Sequence, residues 1–221
     1  MPIPRIIIQT WKTKKLPLEF LEWSLTWKKY NPEFSYLFFD DGDCFRFIFK
    51  NYPMYLDLYE SLSNIERADI FRYLALHHYG GIYADIDTSC FKPIGPLLDL
   101  FDNSLITGIE YNNPEQYLQW FIACPKGSEI MIELVNEANK RNWIRPFKML
   151  TLSDNELVYY ITGPVMFTNV LKNSTESLVV LEKGLLGCYD QKLINRNSYL
   201  QHHFASTWKI KKYGQNLKQD S

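Results

Sequence analysis

The strongest constraint on fold lies between Ser63 and Asp87: a capped helix, a glycine pair, and a short apolar run that ends in two carboxylates. Ser63 followed by Glu66 is a capping box, in which each residue satisfies an amide that the first helical turn leaves without a partner. The pattern predicts a helix to Tyr79, closed at Gly80 by a left-handed residue. Gly81-Ile82-Tyr83-Ala84-Asp85-Ile86-Asp87 then reads as a strand that begins apolar and ends charged. A helix leading through a tight turn into a buried strand points to a layered α/β architecture.

The same alternation runs through the rest of the chain. Residues 5–9 form a β-branched run typical of a buried parallel strand. Residues 18–30 have apolar residues at helical spacing between Pro17 and the Asn31-Pro32 break. Residues 34–39 read as a second strand, ended by Asp40-Asp41-Gly42, with a helical segment following that is interrupted near Pro53. Further strands are expected at 105–110, 120–123 and 178–181, and helices at 129–141 and 165–172. This order predicts an α/β sandwich, a mostly parallel central sheet flanked by helices. The 221 residues suit a single domain over 1–213 with a polar tail at 214–221.

Composition removes several classes of function. A net charge of -1 supplies no basic field for nucleic acid. Lysines 12, 14 and 15, and 209, 211 and 212, form two basic groups, either solvated surface or local attraction for a diphosphate or an anionic surface. No apolar run approaches the ~18 residues of a membrane span. No signal-type segment follows the N-terminus. These features set the expectation of a cytosolic protein, or one peripheral to a membrane, unless an anchor lies outside this sequence. Cys44, Cys90, Cys124 and Cys188 make no C-x-x-C pair, so they read as buried free thiols rather than zinc ligands or a disulfide framework.

The chemistry centres on Asp85 and Asp87. On a strand, residues i and i+2 point to the same side, which projects both carboxylates together and Ile86 away. The C-terminal end of a strand is where open α/β sheets bind ligands. Adjacent carboxylates repel unless a cation intervenes, and oxygen ligation suits Mg²⁺ or Mn²⁺. The alternative is a solvated strand end. Asp41-Gly42-Asp43 repeats the spacing but has the composition of a turn. Asp69 and Arg72 share a helix face at i and i+3. They form either a surface ion pair of little consequence or a pair aimed at sugar hydroxyls and phosphate. His202-His203 reads as a surface or packed pair, and Thr162-Gly163-Pro164 as a loop at the ligand or a plain turn.

Taken in order, several segments resemble glycosyltransferase family 32, which includes enzymes of the yeast α-1,6-mannosyltransferase type. They are residues 3–11, Asn31-Pro32, Asp40-Asp41, Arg67-Ala68-Asp69-Ile70-Phe71-Arg72-Tyr73, residues 79–87, Thr162-Gly163-Pro164, and His203 through Ser206 to Trp208. The D-x-x-R and D-x-D order is also similar to that of the catalytic core of clostridial glucosylating toxins. The resemblance implies a GT-A-type nucleotide-sugar transferase fold and a metal-dependent, retaining enzyme of glycan biosynthesis. Such an enzyme moves a hexose or N-acetylhexosamine from a UDP- or GDP-sugar donor to a glycan or other hydroxyl acceptor. It implies catalytic roles for Asp69, Arg72, Asp85 and Asp87, and a Mn²⁺ or Mg²⁺ ion on Asp85, Asp87 and His203. It implies donor contacts from Gln9, Thr10, Trp11, Asp69, Arg72, Asp85, Ser206 and Trp208, with Trp11 either stacked on the base or packed in the core. Tyr111, Asn112 and Asn113 line the acceptor side or form an ordinary loop. Ile8 stands where the family often has histidine, and the chain is short and lacks the membrane anchor of the family's Golgi members, which sets the expectation of a cytoplasmic enzyme of bacterial or viral type. A nucleotide-sugar hydrolase and a catalytically silent carbohydrate-binding protein are the competing readings. A glycosidase is disfavoured, because carboxylates this close leave no room for opposed attack.

Overall fold

The computed structural model describes residues 1–110, 113–187 and 198–205. Its strands are β1 (Ile6–Trp11), β2 (Ser35–Asp40), β3 (Gly81–Ala84), β4 (Thr88–Cys90), β5 (Leu105–Gly108), β6 (Phe121–Cys124), β7 (Leu178–Leu181) and β8 (Leu200–His202). Its helices are α1 (Leu18–Tyr30), α2 (Asp41–Asn51), α3 (Leu56–Ser61), α4 (Asn64–Tyr79), α5 (Gly95–Leu100), α6 (Glu129–Trp143), α7 (Arg145–Lys148), α8 (Asp154–Ile161) and α9 (Pro164–Asn173).

Among the described residues, six strands form a sheet in the order β2-β1-β3-β6-β5-β7. β6 runs against both its neighbours, and the remaining pairings are parallel. Strand alternation divides the interior into two cores. Ile8, Tyr83, Ile122 and Cys124 face helices α2, α4, α6 and α9 on one side. Ile7, Ile82, Ala84, Phe121 and Ala123 face Trp27 of α1 and Leu97 and Leu98 of α5 on the other. Burial on both faces explains the near-continuous apolar runs of the central strands. β4 and β8 stand apart as an antiparallel two-stranded ribbon at the end of β3.

Local signals place the elements around the site. Glu66 accepts hydrogen bonds from the amide and hydroxyl of Ser63, at 3.0 and 2.7 Å, and so fixes the start of α4. Gly80 and Gly81 take φ values of 66° and 90°, which lets the chain reverse into β3. Asp41-Gly42-Asp43 is the first turn of α2 rather than a free turn. The Asp40 carboxylate accepts from the Asp43 amide at 2.8 Å, and the acidic residues lie at the positive end of the helix. The three described cysteines, Cys44, Cys90 and Cys124, are buried free thiols, and Cys188 lies outside the described residues.

Candidate active site

β3 ends at Ala84, and Asp85-Ile86-Asp87 is a turn into β4. The carboxylates therefore converge through a turn, not through strand alternation. The Asp85 carbonyl accepts from the Thr88 amide at 3.2 Å, the Thr88 hydroxyl at 2.6 Å and the Gln9 side-chain amide at 3.0 Å. The Asp85 amide donates to the Trp120 carbonyl at 2.9 Å. Gln9 is fully buried and accepts in turn from the Tyr36 hydroxyl at 2.6 Å. The structure thus places Gln9 beneath the turn as a brace.

Arg72 joins the helix to that turn. Its guanidinium donates to Asp69 Oδ1 at 2.8 Å and to Asp85 Oδ1 at 2.9 Å, and lies 4.5 Å from the centre of the Tyr83 ring. Thr10 Oγ1 is 3.1 Å from the Tyr83 hydroxyl. The second Asp69 oxygen accepts from the Thr162 hydroxyl at 2.7 Å. Asp69 and Arg72 are 5% and 6% exposed, so the surface ion-pair reading does not apply. Burial pushes the Asp69 carboxyl up, against the opposing pull of Arg72 and Thr162. Burial likewise pushes Asp85 up, against Arg72. Behind them, the Tyr73 hydroxyl and the Gln119 amide both donate to the Thr162 carbonyl, at 2.9 and 2.8 Å. Thr162 therefore belongs to the site. The Thr162-Gly163-Pro164 motif signalled it, but not its partner.

Asp87 is held from the ribbon. Its Oδ1 lies 3.1 Å from His202 Nε2, and its Oδ2 accepts from the Ala205 amide at 2.9 Å. Burial alone would raise the Asp87 carboxyl, but the hydrogen bond and charge of His202 and the Ala205 amide hold it below its ordinary value. Asp85, Asp87 and His202 offer ligand atoms that all lie within 4.8 Å of one another and could hold a metal ion. His203, the histidine expected there from the resemblance, turns the other way. Its Nε2 lies 3.0 Å from the Ser89 hydroxyl, and its ring stacks on Trp23 at 3.9 Å. Successive residues of extended chain face opposite sides, so only one of the two histidines can meet the turn. The His202 ring packs against Trp120 and Phe204, and its Nδ1 is buried without a hydrogen-bond partner among the described residues. Phe204 adopts φ 49°, an uncommon left-handed conformation beside the site.

Trp11 packs against Phe20 at 4.6 Å and is partly exposed. Beside Thr10 a cavity of about 80 Å³ is lined by Asp41, Cys44, Tyr59, Asn64 and Arg67. Asn113 accepts from the Glu115 amide at 3.3 Å within its own loop. Ser206 and Trp208, and Tyr111 and Asn112, lie outside the described residues.

Residues 19–107, which include the whole Asp69–Arg72–Asp85–Asp87 constellation, match the glycosyltransferase sugar-binding region containing the DXD motif. Over that stretch the chain is similar to this glycosyltransferase family. The chain is 31% identical over 167 residues to inositol phosphoceramide mannosyltransferase 3 of Schizosaccharomyces pombe, a match covering 75% of this chain and 44% of that protein. It is 28% identical over 204 residues to the initiation-specific alpha-1,6-mannosyltransferase of Candida albicans, covering 77% of this chain and 52% of the relative. The chain thus spans about half the length of the curated relatives it matches. In fold it is similar to the UDP-bound glycosyltransferase domain of the YGT toxin. The TM-score is 0.61 at 9% identity, over 81% of this chain and 80% of that one. The GT-A-type fold with a mostly parallel sheet is as expected. The expectation of a cytoplasmic enzyme of bacterial or viral type is corrected. The relatives are yeast mannosyltransferases, some named for a ceramide lipid. Among the described residues, no helix is long and apolar enough to cross a membrane.

Proposed function

We propose that this glycosyltransferase is metal-dependent and retaining, and that it moves mannose from GDP-mannose to a hydroxyl acceptor. The observation that carries the reading is the buried chain Asp69–Arg72–Asp85 set against the Asp85–Asp87–His202 group. Two carboxylates and one imidazole nitrogen fit a divalent cation, and the nitrogen favours Mn²⁺ over Mg²⁺. Asp85, Asp87 and His202 would hold the ion, and a bound cation there neutralises the diphosphate of the donor. Arg72 supplies fixed positive charge beside the same carboxylate, where charge grows on the departing phosphate. Asp69, held by Arg72 and Thr162, offers an acceptor to sugar hydroxyls. Retention of configuration is carried by the family resemblance.

The donor assignment rests on the relatives, which are named as mannosyltransferases.

The deciding experiment is a nucleotide-release assay across UDP- and GDP-sugars with Mn²⁺, Mg²⁺ or EDTA, run beside Asp87→Ala. Metal-dependent release from GDP-mannose that requires an acceptor and disappears in the variant is expected. Release that ignores the acceptor would point to a hydrolase. Silence with every donor, together with no metal-dependent nucleotide binding, would leave a sugar-binding protein.

A further inference from the structure

Residues 143–150 expose an unusual amount of apolar surface. Trp143, Ile144, Phe147, Met149 and Leu150 are 79%, 39%, 72%, 59% and 82% exposed. Single exposed apolar side chains are ordinary, but a contiguous run of large ones marks a surface made for contact. The run is not a frayed tail. The Phe147 amide bonds the Ile144 carbonyl at 3.1 Å, Met149 bonds Arg145 at 2.9 Å, and Leu152 bonds Lys148 at 2.9 Å. The protrusion is therefore a built, helical feature whose apolar side chains are held outward.

It is also braced on the elements that carry the site. Arg145 donates to Glu66 at 2.5 Å, and Glu66 caps α4 one turn before Asp69. Arg141 donates to the Tyr160 carbonyl at 2.9 Å, close to Thr162, whose hydroxyl holds Asp69. One basic side chain precedes the apolar run and another stands within it. Lys140 is 76% exposed and lies 3.8 Å from Glu137, and Lys148 lies 5.2 Å from the centre of the Tyr160 ring.

We propose that residues 143–150 dock on an anionic membrane surface, with Trp143, Phe147 and Leu150 entering the headgroup–acyl boundary and Lys140 and Lys148 on the lipid phosphates. A tryptophan with neighbouring Phe and Leu, rimmed by lysines, is the composition of an interfacial anchor. Long lysine stems can lie along apolar surface while their ammonium groups reach the headgroups. A second copy of the chain is a poorer occupant, because a two-fold pairing of this face would bring its lysines toward their own equivalents. The bracing on Glu66 and α8 gives the docked protein a fixed orientation about its site.

The test is co-sedimentation of the whole chain with phosphatidylcholine vesicles, with and without phosphatidylinositol, over a range of salt. Binding to the anionic vesicles that weakens with salt is expected, since each basic residue near such a surface contributes about a fivefold gain in binding. The variant Trp143→Ser/Phe147→Ser/Leu150→Ser should bind at least ~10-fold less, through the loss of its buried apolar area. Lys140→Glu/Lys148→Glu should lose the preference for anionic lipid. Both variants should keep the parent's melting temperature and its nucleotide release in solution, which separates this inference from the proposed transfer activity. Absence of vesicle binding by the parent chain, or equal binding by the triple serine variant, would overturn the proposal. So would a dimer in sedimentation that this variant breaks, since the face would then be a self-interface.

Discussion

His202 Nε2 lies 3.1 Å from Asp87 Oδ1 across 115 residues of chain, while the neighbouring His203 turns onto Ser89 and Trp23. Two adjacent histidines are thus assigned different work by the pairing of β4 with β8. His202→Ala should lower Mn²⁺ affinity at least as much as the ~10–100-fold that loss of an outer-shell partner costs. His203→Ala should leave Mn²⁺ affinity close to the parent. Calorimetric titration of Mn²⁺ into each variant checks this, and an equal loss in both would remove the distinction.

Arg72 is the only described side chain bonded to both Asp69 and Asp85. Removing it leaves a buried carboxylate uncompensated, a change that typically costs ~3–5 kcal/mol. Arg72→Ala should show that loss in urea unfolding, and Arg72→Lys should recover only part of it, because a point charge cannot replace the fork. The loss should grow with pH. Burial already pushes the Asp69 carboxyl above its unfolded value, and without Arg72 it rises further. The folded state then holds the proton more tightly than the unfolded state. Stability therefore falls as pH climbs through and above the ordinary carboxylate range. Unfolding curves for the alanine variant at mildly acidic and mildly alkaline pH would test the sign. A larger deficit on the acidic side would contradict it.

What the sequence reveals about this site follows the range of the forces involved. The capping box of Ser63 and Glu66, the Gly80-Gly81 reversal and the apolar β3 are local, and the residues alone predict them. Asp85 and Asp87 are legible as a pair, but the reason they converge is not. The turn that aims them is closed by Thr88 and braced by Gln9, which lies 76 residues away. The burial of Asp69 and Arg72 depends on α8 and Thr162 packing over them, and spacing within a helix carries no such information. β4 and β8 are three residues each, too short for any periodicity to register. α8 is not among the helices expected above, although its Ser153–Glu156 capping box is a local signal.

The second D-x-D triplet provides a contrast. Asp40 and Asp43 cap α2 reciprocally, at 2.8 and 3.3 Å. Asp40→Ala should cost about 1 kcal/mol of stability, the usual worth of an N-cap. Asp43→Ala should cost a comparable amount and leave Mn²⁺ affinity unchanged, because Asp43 is engaged by Lys14 and Arg46. Hydrogen bonding to Lys14, ahead of Arg46 and the Asp40 amide, holds the Asp43 carboxyl at about 2. Its contribution is therefore present above the ordinary aspartate range and is lost as pH falls toward that value. Thermal melts across that acidic range, parent against variant, would show the difference narrowing. A gap that stays constant down to the lowest pH would refute the assignment.

Gly81 tests how tightly β3, and with it the Asp85 turn, is set against β1. Its φ is 90°, and a Cβ there would lie 2.5 Å from the Ile6 carbonyl oxygen and 2.9 Å from the Ile6 Cβ. Those atoms belong to β1, which is itself clamped between β2 and β3, so neither can retreat without breaking the ladder. Gly127 has a φ of 76°, but a Cβ there meets nothing within 4 Å. Both substitutions to alanine carry the ~1–2 kcal/mol conformational cost of a left-handed residue, and only Gly81→Ala adds the collision. Gly81→Ala should therefore be clearly the more destabilising in urea unfolding. Because β3 leads directly into Asp85, it should also weaken Mn²⁺ binding, whereas Gly127→Ala should not. Equal effects from the two variants would mean that conformational cost alone governs this turn and that β1 can yield at Ile6.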